Sequence, residues 1–120
     1  MKQIRRELEG ELRKAAGMYP VVSVVGPRQS GKTTLVRAVF AEKAYVSLEN
    51  PDIRAYAVED PRGFLAEHRE GAILDEVQRV PDLLSYLQEM VDTDRWAGRF
   101  ILTGSQHFLM MRDVSQSLAG

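Results

Sequence analysis

Ile4, Leu8 and Leu12 recur at helical spacing among charged neighbours, so residues 2–16 read as an amphipathic helix that Gly17 and Pro20 close. Beyond it the chain alternates between two kinds of segment. Short apolar, β-rich runs stand at Val21–Val25, Ala44–Leu48, Ala72–Leu74 and Phe100–Thr103. Between them lie helical patterns: Lys32–Ala41, two short pieces opening at Pro51 and Pro61, and Pro81–Val91, where Leu83, Leu84, Leu87, Met90 and Val91 are apolar. Asn50-Pro51 and Asp60-Pro61 each read as an N-cap residue followed by proline at the first helical position.

Strand alternating with helix predicts an α/β fold with a parallel sheet covered on both faces. No internal repeat, low-complexity tract or Gly/Ser linker interrupts the pattern. Two units follow: an N-terminal amphipathic helix over residues 1–19 and an α/β core over residues 20–120. The final stretch, DVSQSLAG from Asp113, carries a helical pattern and stops without a fifth strand. The expectation is a domain cut short.

Composition narrows the function classes. Apolar residues make up 44% of the 120 and charged residues 28%, as in a soluble globular domain. A formal net charge of -1 gives no electrostatic footprint for nucleic acid or an anionic membrane. The chain has no cysteine, which excludes disulfides and thiolate chemistry, and its two histidines cannot build a histidine-rich metal site. No apolar run approaches the roughly 20 residues of a membrane helix, and the N-terminus lacks a signal-peptide core, so the expected location is cytoplasmic.

Chemistry enters at GPRQSGKTT, Gly26 to Thr34, which follows a predicted strand and opens a predicted helix. Gly26 lets the chain leave the strand, and Gly31 lets the backbone approach phosphate oxygens. Successive N–H groups from Gly26, Pro27, Arg28, Gln29, Ser30 and Gly31 onward, proline excepted, form an anion-binding concavity at the positive end of a helix. Lys32 reaches the terminal phosphates as a point charge, the Thr33 hydroxyl suits magnesium, and Thr34 supports the helix start or contacts a nearer phosphate.

Two further polar clusters end predicted strands. AILDE, Ala72–Glu76, closes an apolar run with two carboxylates at the strand end where ligands sit in open parallel sheets. Asp75 suits the metal, and Glu76 suits a base that orients and deprotonates an attacking water. RFILTGSQ, Arg99–Gln106, brings Ser105 to the same rim, with Thr103 as the alternative. Either hydroxyl can contact the terminal phosphate or the water, and a Thr-Gly-Ser turn capping the next helix reads equally well.

GPRQSGKTTL, YVSLENPDIRAYAVEDPRGFL, GAILDEVQRVPDLLSYLQ and RFILTGSQ…SQSLAG together resemble successive motifs of one group. It is the prokaryotic AAA-type P-loop ATPases of the AAA+ superfamily, whose N-terminal nucleotide domain precedes a C-terminal domain of uncharacterised role. The resemblance runs from Pro20 to the last residue. It implies a P-loop NTPase three-layer sandwich with sheet order 5-1-4-3-2, and ATP and Mg2+ as ligands. It also implies Gly26–Thr34 as the Walker A loop, Asp75 and Glu76 as the Walker B pair and Ser105 as the sensor-1 position. The fifth strand, the helical lid and the C-terminal domain of that group are missing from the pattern. The Val21–Val25 strand is therefore expected at an uncovered sheet edge that favours self-association.

The resulting expectation is magnesium-dependent ATP hydrolysis, with Lys32, Glu76 and Ser105 in catalysis and Thr33 and Asp75 at the metal. The alternatives are a module that holds nucleotide without hydrolysing it and a small-molecule phosphotransferase. Arg28 is either part of the loop's function or a solvated charge, and Arg112 reads as a surface arginine before an arginine finger. Trp96, Met110 and Met111 read as packing residues, Tyr45 and Tyr56 as core or rim packing before contact with a nucleobase, and His68 and His107 as structural or exposed.

Overall fold

The computed structural model describes residues 2–25, 31–111 and 117–119. Its elements run α1 (Lys2–Ala16), β1 (Val21–Val25), α2 (Lys32–Val39), β2 (Ala44–Ser47), α3 (Pro51–Glu59), α4 (Pro61–Glu67) and β3 (Ala72–Asp75). A short 3-10 turn over Val77–Arg79 follows, then α5 (Leu83–Thr93), β4 (Phe100–Gly104), α6 (Gln106–Met111) and β5 (Ser117–Ala119). The five strands are parallel and ordered β2-β3-β4-β1-β5.

Alternation along each strand builds two cores. Val22 and Val24 of β1, Ile73 of β3 and Ile101 of β4 face Leu12 and Ala15 of α1 and Leu35, Val36 and Val39 of α2. Val21, Val25, Leu74, Phe100 and Leu102 point the other way, against Ala57, Phe64, Leu65, Leu83, Leu87 and Val91 of α3, α4 and α5. Burial on both faces explains why the strands read as continuous apolar runs. Each fully buried Leu or Val contributes about 1.5–3 kcal/mol over its exposed state. The amphipathic α1 thus forms part of one helical layer of the sandwich.

Both proline-led helices start as the sequence predicts. Asn50 Oδ1 accepts from the N–H groups of Asp52 and Ile53 at 2.9 and 3.2 Å, and Asp60 Oδ1 accepts from Gly63 N–H at 3.0 Å. No helix among the described residues is long and apolar enough to cross a membrane.

The end of the chain differs from expectation. Ser117–Ala119 forms the fifth strand in place of a helix, pairing with Ser23, Val24 and Val25. The expected order 5-1-4-3-2 therefore holds with its fifth strand present, and β1 is an interior strand. The self-association expected from an uncovered β1 edge loses its structural basis over those three residues. The helical reading rested on local spacing alone, whereas the unpaired backbone groups along β1 reward a strand partner. Residues 112–116, which include Arg112, lie outside the described residues.

Candidate functional site

In this strand order the carboxyl ends of β1, β3 and β4 open onto one rim, and the described site residues gather there. Gly26, Pro27, Arg28, Gln29 and Ser30 lie outside the described residues. Gly31, the residue before α2, has φ +86°, a left-handed conformation that suits glycine, and a Cβ there would meet open space. Gly31 stands at the positive end of α2.

Lys32 opens α2 with its side chain turned under the rim. Its Nζ lies 3.4 Å from Glu76 Oε1, and the two residues are only 5% and 4% exposed. A buried ammonium and a buried carboxylate need each other, because either alone would carry its full desolvation cost. Thr33 is half-buried and Thr34 is exposed.

Asp75, the last residue of β3, collects three hydroxyl donors. Thr33 Oγ1 donates to Oδ1 at 2.9 Å, Tyr45 from β2 donates to Oδ2 at 2.6 Å, and the Thr103 hydroxyl from β4 donates to Oδ1. Thr103 Oγ1 in turn accepts from Glu76 N–H at 3.0 Å, so one buried hydroxyl ties both carboxylate residues to β4. Burial, and after it the bond to Asp75, pushes the Tyr45 phenol up to about 12. The Arg37 guanidinium lies 4.1 Å over the Tyr45 ring. A carboxylate held by fixed donors from three elements has one orientation.

Glu76 leaves the strand at φ 61°, ψ 55°, the one positive-φ residue other than glycine among those described. A left-handed glutamate is uncommon and costs backbone energy. Here it swings the carboxylate back to Lys32 and begins the 3-10 turn, so that Gln78 Nε2 donates to Glu76 Oε2 at 3.2 Å. The pair is therefore buried.

Ser105 sits at the same rim with its hydroxyl accepting from Phe108 N–H at 3.3 Å, as the helix-capping alternative expects. Its own N–H donates to Gln78 Oε1 at 3.3 Å. Of the two hydroxyls at the end of β4, Thr103 is the one that bonds Asp75. Tyr45 and Gln78 join the site although the sequence singles out neither for it. No local signal marks either, because both act across strands or through the unusual turn at Glu76. Tyr56 packs edge-on to Phe64 at 5.7 Å, Trp96 carries the Arg99 guanidinium 4.0 Å over its ring, and His107 is exposed. His68 stands 5.1 Å from the Phe64 ring, and its burial lowers its pKa.

Thr33 and Asp75 offer hard oxygen donors side by side, a pair that could hold a magnesium ion with waters and phosphate oxygens as its other ligands. Lys32 supplies cationic charge beside it.

Comparisons with known proteins bear on the family and the fold. The sequence profile of the family described as AAA domain matches residues 18–120. An uncharacterized protein of Mycobacterium tuberculosis (strain H37Rv) is 39% identical over 118 residues, covering 97% of this chain and 26% of its own length. An uncharacterized protein of Mycobacterium bovis matches with the same identity and coverage. The chain thus spans about a quarter of the length of the curated relatives it matches. A crystal structure of a DNA replication initiation factor superimposes with a TM-score of 0.58 at 19% identity, covering 88% of this chain and 38% of that one. At that identity the likeness is one of fold. The chain belongs to the AAA domain family, and what it carries is a nucleotide-binding, ATPase-type module of the P-loop fold.

Proposed function

We propose that this domain binds ATP with Mg2+ through the GPRQSGKTT motif, Gly26–Thr34, together with the rim residues Asp75 and Glu76, and hydrolyses its terminal phosphate. The observation that carries the reading is the double junction between α2 and the end of β3. Thr33 bonds Asp75 at 2.9 Å, and Lys32 faces Glu76 at 3.4 Å. Adjacent residues of one helix turn thus meet adjacent residues of one strand end.

Each side chain then has a task. Backbone N–H groups at the start of α2 and the Lys32 ammonium stabilise negative charge on the phosphates. Thr33 and Asp75 hold the metal, with Asp75 kept in orientation by Tyr45 and Thr103. Magnesium, when bound, supplies Lewis-acid stabilisation of the phosphate oxygens. Glu76 accepts a proton from water as its oxygen bonds to the terminal phosphorus. The bond from that phosphorus to the bridging oxygen breaks, and ADP leaves with the electron pair. Ser105 is the candidate phosphate-sensing position at the rim.

The test is a pair of substitutions in the full chain. Lys32→Ala is expected to abolish tight binding of a fluorescent ATP analogue. Glu76→Gln is expected to keep that binding and lose turnover by about 10²-fold or more. Wild-type affinity in the first variant would sink the phosphate-loop reading. Wild-type turnover in the second would remove Glu76 from the role of base.

A further inference from the structure

One side chain next to the carboxylate pair has no place in the reaction described above. Gln78, half-buried on the 3-10 turn, donates from Nε2 to Glu76 Oε2 at 3.2 Å. Its Oε1 accepts from Ser105 N–H at 3.3 Å, at the mouth of β4. The two partners fix the orientation of the amide, since only the nitrogen can serve a carboxylate and only the oxygen can serve an N–H. A flipped amide would lose both bonds at once.

The surrounding backbone is shaped to admit this amide. Glu76 at φ 61° returns the chain so that Gln78 reaches back to the residue two positions earlier. On the facing strand, Gly104 leaves the space that Gln78 Oε1 occupies. A Cβ there would lie 2.8 Å from that oxygen, and also 3.2 Å from Val77 Cγ2 and 3.3 Å from Leu109 Cδ1. A side chain at Gly104 would push the amide off one or both partners.

We infer that Gln78 is a positioning residue: its carboxamide sets the orientation of the Glu76 carboxylate and couples it to the Ser105 end of β4. Glu76 is held from two sides, by Lys32 on Oε1 and by Gln78 on Oε2. As Lys32 engages phosphate, the Gln78 bond keeps the carboxylate aimed. A shift of the Ser105 backbone reaches Glu76 through one rigid amide. The inference rests on the reading of Glu76 as the base.

Gln78→Glu separates the two arms, because a carboxylate still accepts from Ser105 N–H but cannot donate to Glu76 and repels it. The measurements are single-turnover ATP hydrolysis, affinity for a fluorescent ATP analogue and thermal unfolding. They compare the full-length wild type with Gln78→Glu, Gln78→Leu and Glu76→Gln. Both Gln78 variants are expected to lose hydrolysis by about tenfold or more, while affinity and melting temperature stay near wild type. Wild-type hydrolysis in Gln78→Glu beside an inactive Glu76→Gln overturns the positioning role and leaves the base intact. Wild-type hydrolysis in Glu76→Gln overturns the base itself, and the inference with it. Equal loss of affinity and stability in both Gln78 variants makes Gln78 scaffold only and also overturns the role. A readout independent of turnover is the side-chain NH2 signal of Gln78 in 15N-glutamine-labelled protein. It is expected to move on Glu76→Gln, and an unmoved signal contradicts the bond.

Discussion

The Thr33 hydroxyl donates to Asp75 Oδ1 at 2.9 Å, joining the first turn of α2 to the end of β3 across 42 residues of sequence. Thr103 donates to the same oxygen from the strand between β3 and β1, and Tyr45 holds the second oxygen from β2. Asp75 is thereby a junction of four elements before any ligand arrives.

Asp75→Asn is expected to damage both stability and metal use. An amide offers one acceptor oxygen and an NH2 group, so at least one of the three hydroxyls loses its acceptor, at about 1–3 kcal/mol. Urea unfolding reads that cost. Titration of a nucleotide with and without magnesium is expected to show that the metal no longer strengthens binding.

The Lys32–Glu76 pair predicts strong non-additivity. Lys32→Met leaves the Glu76 carboxylate without its ammonium in a buried place, a change expected to cost about 3 kcal/mol. Glu76→Gln in the Lys32→Met background is expected to recover part of that loss. A double-mutant cycle by chemical denaturation should give a coupling of about 1–3 kcal/mol. Purely additive costs would deny the pair.

Tyr45 predicts an alkaline loss of stability. Its phenol rises from 10.0 to about 12 in the folded chain, through burial first and the Asp75 bond second. The folded state therefore favours the protonated phenol. That stabilisation is complete below pH 10 and is lost as pH rises toward about 12. Tyr45→Phe is expected to be less stable at neutral pH and to lose this part of the alkaline slope. Denaturation midpoints followed from pH 8 upward (a range of roughly that start is set by the unshifted phenol) make the comparison.

Arg99 separates scaffold from site. It is 1% exposed and stands just before β4, at the strand end opposite the rim. Its guanidinium donates to the Arg69 carbonyl at 3.0 and 2.7 Å and to the Asp94 carbonyl at 2.6 Å. Arg99→Met strands both carbonyls and is expected to cost about 2–4 kcal/mol. Nucleotide affinity measured well below the new melting temperature should remain near wild type. A large loss of affinity there would mean that the two ends of β4 are coupled.

Much of the fold was legible because its signals are local. Asn50 and Asp60 cap their helices as side chains a few residues from their partners, and Val21–Val25 is buried along its length as an apolar run predicts. The strand-end positions of Asp75, Glu76 and Ser105 are likewise carried by residue type and spacing, whereas Gly26–Ser30 lie outside the described residues. The fifth strand was not legible. Ser117–Ala119 is three residues long, and its conformation follows from the backbone groups of β1 more than from its own side chains.

By itself the sequence determined the α/β alternation, the strand ends that carry chemistry and the resemblance to AAA-type ATPases. Those depend on composition and on periods of two and 3.6 residues. Only the tertiary structure decided that Thr103 bonds Asp75, that Tyr45 holds its second oxygen and that Gln78 holds Glu76. These contacts join strands distant in sequence or pass through a left-handed turn at Glu76. Hydrogen bonds depend on direction and distance, and both are set when the sheet assembles.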